Sequence, residues 1–437
     1  MATRTAFKAA RGRRAVVVGG LRTPFCKAFT ELTTLDTIAL GAAAVSGLLK
    51  RLELPAREID SIVWGGVILP PLAVNVGREI VLELKLPAAI EGMTVTRACA
   101  SGLQAITTAA AAIERGDADV VIAGGSDSTS NAPIAFPPKL VHKLGPLVLG
   151  GKGTAADYLG ALAQLMPLHE ILPKVPKIAE RTTGEVMGES AERMARRNEI
   201  TRQAQDEFAV RSHQRAARAI ASGRFERERI GVETKAGWVH NDNLVRADTD
   251  VDKLGKLKPA FAKDGTVTAG NASPLTDGAA AVMLMSEEKA AALGYPALAA
   301  LRAWSYVGVD PADQLLIGPA LCMPKALELA GMQLRDVDLV DVHEAFAAQV
   351  LTVLKMLAST GFARERLGRD RAVGEIDPER LNVHGGSIAI GHPFAATGAR
   401  MVTTMANELV ATGKQSALLG ICAAGGLGAA AILERVS

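Results

Sequence analysis

Aromatic residues are scarce, making up 4% of the 437 residues. A core for this chain must therefore be built from Ala, Val, Leu and Ile, while 43 glycines allow close backbone approaches. Cysteine is also sparse. The four, at positions 26, 99, 322 and 422, form no CxxC pair and are too few for a disulfide framework. Such usage favours a reducing compartment. Neither sign of charge dominates: 49 basic residues face 46 acidic ones, for a net charge of +3. That balance gives no support to nucleic-acid binding as the main function. Long apolar runs are missing as well. The nearest, Ala417 to Leu433, is uncharged but carries Gly420, Gly425, Gly426 and Gly428. It falls short of the ~20 residues of a membrane span and reads as strand, turn and strand.

What is present excludes global disorder, since 49% of residues are apolar and 22% charged. At roughly 150 residues per domain, the length implies two or three domains. The first fourteen residues carry Arg4, Lys8, Arg11, Arg13 and Arg14 without an acid. A disordered basic arm and a cytoplasmic protein are expected. An organelle transit peptide, with a mitochondrial-matrix location, is the other reading of such a segment.

The chain repeats itself. A helix end, a short link and the apolar strand Ile59 to Gly65 recur as a helix end, a link and Val337 to His343. A helical pattern with Leu103, Ile106, Ala110 and Ile113 on one face stops at Gly116 and leads into Val120 to Gly125. It recurs as a helix over 399–411, a stop at Gly413 and the strand Ala417 to Cys422. Helices alternating with short apolar strands predict an α/β fold with mostly parallel strands. Two similar halves, 1–127 and 270–437, are expected to flank an inserted lobe at 128–269 rich in prolines and charged helices. Sites in such sheets gather at strand carboxyl ends and helix N-termini.

Four reactive side chains fall at equivalent places in these repeats. Cys99 precedes the first repeated helix, where the helix dipole and free N–H groups favour a thiolate. His392 ends a Gly-rich stretch, Asn382 to Pro393, before the second repeated helix, and is a plausible base for a thiol. Cys422 ends the last repeated strand ahead of Gly425, Gly426 and Gly428, and His343 ends its own strand. Singly, each fits a buried core residue; together they point to a site.

These residues carry a resemblance. Cys99 within ACASG, HEAFAAQ at 343–349, GGSIAIGHP at 385–393 and CAAGGLG at 422–428 resemble the thiolase signatures, in thiolase order. VTAGNASPLTDGAA at 267–280 resembles the segment after the thiolase loop domain. His343 in place of the more usual Asn, with HPFAATGARM at 392–401, resembles the β-subunit type of fatty-acid-oxidation (trifunctional) complexes. The resemblance implies the thiolase fold, two βαβαβαββ halves layered α-β-α-β-α, with the loop domain at 128–269 binding coenzyme A. It implies CoA-dependent cleavage of a 3-ketoacyl-CoA through an acyl-Cys99 intermediate, with His392 as base and Cys422 as acid and base. One oxyanion hole would use His392 and a water on His343; the other would use the N–H groups of Cys99 and Ala424. Met187, Ala269, Ser273, Ala345 and Phe346 would line the pantetheine tunnel.

Several departures bear on these roles. Ala424 replaces a Gly, Ala395 replaces another, and Val186 stands where biosynthetic thiolases have His. His343, unlike Asn, is expected to bring a pH dependence near neutrality. No metal and no permanently bound cofactor are implied. The expected partners are CoA, acyl-CoA, a second copy meeting the first through sheet edges, and an α-type hydratase/dehydrogenase subunit. The apolar, Pro-bounded segment 146–176 is expected to be an extra helical element, facing a partner, a membrane or the acyl-chain entrance. A biosynthetic condensing enzyme and a non-catalytic acyl-CoA-binding protein are the competing readings.

Overall fold

A computed structural model describes residues 12–151, 153–165, 172 and 179–436. Of the basic arm, residues 1–11 lie outside the described residues. Its last two arginines are anchored, contrary to a disordered arm through residue 14. Arg13 bonds Asp119, and Arg14 lies 3.7 and 3.6 Å from Glu287 and Glu434.

Twelve strands are described: β1 (Ala15–Arg22), β2 (Cys26–Lys27), β3 (Ser61–Gly65), β4 (Glu91–Val95), β5 (Val120–Asp127), β6 (Val232–Thr234), β7 (Gly237–Val239), β8 (Thr276–Ser286), β9 (Ala299–Gly308), β10 (Leu339–Val342), β11 (Ser416–Ala423) and β12 (Leu427–Arg435). The main sheet runs β4-β3-β5-β8-β1-β9-β12-β11-β10, with β2 on β8; β6 and β7 form a separate ribbon. From its middle outward this order reads the same in both halves. β1, β8, β5 and β3 on one side match β9, β12, β11 and β10 on the other. The pairings match too: β3/β5 and β10/β11 are parallel, while β5/β8 and β11/β12 are antiparallel. Where β4 would have its counterpart, a single parallel bridge joins Val340 to Leu381.

The sheet is therefore mixed rather than mostly parallel. Part of the reason lies in the connections: β11 and β12 are joined by the tight turn Ala424–Gly426, whereas β8 and β9, both antiparallel to the β1 between them, run parallel and are joined through helix Glu287–Leu293. A link as short as 424–426 returns a chain antiparallel to itself, while a parallel pair needs a longer crossover.

Period-2 alternation distributes the apolar residues. Val121 and Ala123 of β5 point into a central core, with Leu419 and Ile421 of β11. Val120 and Ile122 face an outer core on the N-terminal side, and Leu418 and Cys422 face another on the C-terminal side. The central core is filled by helices Ser101–Arg115 and Ala396–Thr412, which give it Leu103, Ile106, Ala399 and Val402. Helices Thr37–Leu52 and Gly318–Ala330 cover the outer faces, completing an α-β-α-β-α stack. Gly116 and Gly413, both with left-handed φ, end the two central helices where the repeats predict.

Residues 132–178 form a compact unit of their own. It holds helices Pro138–Gly150 and Ala155–Ala163, the second started by a Thr154–Asp157 capping box. Lys143 Nζ donates to Gln164 Oε1 at 2.6 Å, and Tyr158 donates to the Leu147 carbonyl. Val148, Leu149, Leu159 and Leu162 are exposed. The segment 146–176 is thus helical in part, and its residues 152, 166–171 and 173–176 lie outside the described residues.

Candidate active site

Cys99 sits on a sharp bend. Ala98 before it has φ 45°, a left-handed conformation uncommon for a residue with Cβ. Ser101 stabilises the bend twice, accepting from the Arg97 N–H at 2.7 Å and donating to the Ala98 carbonyl at 2.6 Å. The helix begins at Ser101, so Cys99 stands just ahead of it and is half-buried. Two backbone N–H groups, its own and that of Ala424, bond toward the thiol. Burial nevertheless outweighs them and pushes the thiol up to about 12, so Cys99 rests protonated.

His343 and His392 meet this thiol. The ligating atoms of the three side chains all lie within 4.8 Å of one another, and the two rings are 4.2 Å apart at their centres. His343 follows β10 and shares a 3.1 Å hydrogen bond between Nδ1 and Ser387 Oγ. His392 shares one of 2.7 Å between Nδ1 and Thr397 Oγ1, and its N–H donates to Thr276 Oγ1. Both Nε2 atoms are buried without a hydrogen-bond partner. Desolvation first, then Arg400, lower the His392 value to about 3. Desolvation, then His392 and Arg400, hold His343 well below the usual range. The expected titration of His343 near neutrality is therefore corrected: both rings are neutral through the physiological range.

Cys422, at the end of β11, is buried. Desolvation, followed by the charge of Cys99, raises its thiol far above the ordinary range. The two cysteines thus feel each other across the junction of the halves: Cys99 comes from the first, and His343, His392 and Cys422 from the second.

Several residues that hold this arrangement were not anticipated from sequence. Asp127, fully buried at the end of β5, accepts from the N–H groups of Val67, Ile68 and Ala395. It thereby fixes the loop that carries His392; desolvation pushes its carboxyl up to about 7. Glu344, also buried, accepts from Ser212 at 2.6 Å, Asn382 at 2.7 Å and the Ile388 N–H, locking the Gly-rich stretch. Arg400, whose charge reaches both imidazoles, is paired with Asp341 at 3.1 Å, and both are buried. The place of Asp127 at the end of a repeated strand was the available signal. Glu344 and Arg400 lie inside HEAFAAQ and HPFAATGARM, where the resemblance assigns them no role.

Of the expected tunnel residues, Ser273 donates its N–H to the Ala345 carbonyl at 2.9 Å, and Ala272 bridges to Phe346. Phe346 meets Phe261 edge-on at 6.0 Å, and Gly188, next to Met187, packs on the Phe261 ring. Met187 is half-buried beside the same core. Ala269 is exposed in the turn before Asn271.

Residues 15–288 match the family described as thiolase, N-terminal domain, and 295–435 match thiolase, C-terminal domain. The chain belongs to the thiolase family. This thiolase is 44% identical over 428 residues to the 3-ketoacyl-CoA thiolase of Shewanella woodyi, covering 97% of the chain and 98% of that protein. It is 45% identical over 427 residues to the protein of the same description from Aliivibrio fischeri, covering 97% and 96%. Among solved structures it resembles a Bacillus anthracis acetyl-CoA acetyltransferase, with TM-score 0.82, 34% identity and coverage of 97% and 99%. It also resembles human mitochondrial 3-ketoacyl-CoA thiolase in complex with CoA, with TM-score 0.81, 30% identity and coverage of 97% and 98%. No helix among the described residues of this thiolase is long and apolar enough to cross a membrane.

Proposed function

We propose that this chain is a 3-ketoacyl-CoA thiolase, an acyltransferase that uses CoA as co-substrate. The observation that carries the reading is the convergence of the Cys99 thiol, two neutral imidazoles and the Ala424 N–H, with a second thiol, Cys422, behind them.

At rest Cys99 is a thiol beside a neutral ring. As it attacks the keto carbon of a 3-ketoacyl-CoA, its proton passes to His392. The imidazolium so formed is the charge that the oxyanion requires, at a site too dry for either charge to form alone. The tetrahedral intermediate collapses by breaking the bond between its α and β carbons. The acyl group stays on Cys99, and the acetyl-CoA enolate takes the proton of Cys422. Cys422 thiolate then deprotonates incoming CoA, whose sulfur attacks the thioester. The acyl-CoA leaves, and Cys99 recovers its proton from His392. Cys99 and Ala424 N–H groups hold the thioester oxygen; His343 holds a water toward the other. Met187, Ala269, Ser273, Ala345 and Phe346 line the pantetheine path, and 128–269 acts as the CoA-binding lobe between halves 1–127 and 270–437.

The degradative direction, in fatty-acid β-oxidation, is supported by the relatives named 3-ketoacyl-CoA thiolase and by Val186 where biosynthetic enzymes carry His. The condensing direction is the second reading, favoured by the likeness to an acetyl-CoA acetyltransferase. A cytoplasmic homodimer, with an α-type hydratase/dehydrogenase partner and 146–176 facing that partner or a membrane, completes the proposal. Loss of 3-ketoacyl-CoA absorbance on adding CoA, for acetoacetyl and long-chain substrates, tests it. Turnover of both with a preference for the long chain is expected. Binding without cleavage of either would leave only an acyl-CoA-binding protein.

A further inference from the structure

Three side chains with spare lone pairs face one another in the site. They are the thiol of Cys99 and the rings of His343 and His392, with ligating atoms within 4.8 Å of one another. In each ring the atom without a partner is Nε2, and both are buried. The other ring nitrogen is taken: Nδ1 of His343 by the Ser387 hydroxyl and Nδ1 of His392 by the Thr397 hydroxyl. A neutral imidazole whose Nδ1–H donates to an outer oxygen presents a lone pair at Nε2. Metal-ligating histidines are oriented by the same kind of outer hydrogen bond.

The donor set decides which cation fits. One sulfur and two imidazole nitrogens suit a thiophilic, borderline-soft ion such as Zn2+ or Cd2+, and do not suit Mg2+ or Ca2+, which take oxygen. The buried carboxylates nearby are already used, Asp127 by three backbone N–H groups and Glu344 by Ser212, Asn382 and Ile388. Half-buried Cys99 leaves a way in from solvent.

We propose that Cys99, His343 and His392 form an inhibitory binding site for a zinc-class cation, which caps the nucleophile reversibly. The Cys99 S–H bond is broken and a metal–thiolate bond forms, with the proton released to solvent; the neutral rings give up none. Zinc–sulfur and zinc–nitrogen bonds of about 2.3 and 2.0–2.1 Å draw the three side chains together, leaving a fourth position for water. A Cys99 holding a metal cannot hold an acyl group, so metal and acyl-enzyme exclude each other. The inference needs these residues and not the reaction. Thiolase activity assayed in chelator tests the functional reading separately.

The test uses the full chain, stripped with chelator and dialysed against ZnCl2, with the ultraviolet thiolate-to-metal band of Cd2+ as a second readout. One tight site per chain is expected, weakened about 100-fold or more in Cys99→Ala and about 10-fold or more in His343→Asn, and absent after acylation by acetyl-CoA. In the unaltered protein, Zn2+ should slow alkylation of Cys99 at least tenfold, reversibly with chelator. Undiminished binding by folded Cys99→Ala, or Cys99 alkylation indifferent to Zn2+, would overturn the proposal.

Discussion

Cys99 and Cys422 are both raised by burial, yet their tasks separate under mutation. Cys99→Ala removes the acyl acceptor and should abolish transfer in both directions. Cys422→Ala leaves Cys99 able to acylate slowly but removes the proton donor for the enolate, so turnover should fall about 100- to 10,000-fold, the usual worth of a positioned acid or base. A stopped-flow trace with acyl-enzyme accumulating ahead of a steady state slowed by that factor is the expected signature; a loss under tenfold would contradict the role. These two thiols and His392 were legible because each falls at the start or end of an element that recurs in the other half. Asp127 was not, because nothing in its local sequence records that Val67, Ile68 and Ala395 would aim their N–H groups at it. Nor was the depressed His343, whose value depends on the ring of His392 and the charge of Arg400 arriving from other elements.

The two central helices meet at glycines. A Cβ on Gly398 would lie 2.5 Å from the Leu103 nitrogen, and one on Gly102 would run into the Ala395 carbonyl. Gly398→Ala should therefore push helix Ala396–Thr412 from helix Ser101–Arg115 and shift His392 relative to Cys99. Displacement on the order of 1 Å can cost about 100-fold in rate, so kcat should fall by at least tenfold in a chain that still folds, as read by circular dichroism and acetoacetyl-CoA cleavage. Helix Arg202–Ala221 carries a different liability. His213 is buried, its Nδ1 accepts the Arg246 N–H at 3.2 Å, and desolvation with Arg246 lowers it to about 4. The unfolded chain, near 6.5, takes up that proton first, so stability is held above pH 6.5 and lost as pH falls toward 4. The full loss is on the order of 3 kcal/mol. The fall in melting temperature between pH 7.5 and 5 should shrink in His213→Asn, whose amide oxygen can still accept; an unchanged fall would refute it. At this scale the sequence yielded element type and stops, Gly116 and Gly413 included. Strand direction escaped it, because apolar content is the same whichever way a buried strand runs.

In the molecule as a whole, β4 closes one end of the sheet, with Met93 43% exposed. Beside it a cavity of about 950 Å³ is lined by Ile62, Ile90, Met93, Gln104, Thr108 and Trp304. An uncovered edge strand invites pairing with another chain, which makes β4 the expected edge for the proposed dimer. Sedimentation should give a dimer, and Met93→Lys should move it toward monomer; a monomeric parent protein would remove the idea. The duplicated plan was readable from the recurring helix–strand passages. The bridge at Leu381 that replaces a fourth outer strand in the second half was not, since one residue pair leaves no periodic trace.

The alternation that feeds three cores from single strands has a consequence for how this chain can change by descent. Replacing Val121 or Ile122 by another apolar residue alters one layer only. Losing one residue anywhere between Val120 and Ala123 would exchange the inner and outer sets of the whole strand at once. Lineages of this protein should accumulate exchanges freely along β5, β8, β11 and β12, while length variation is confined to connections such as 132–178.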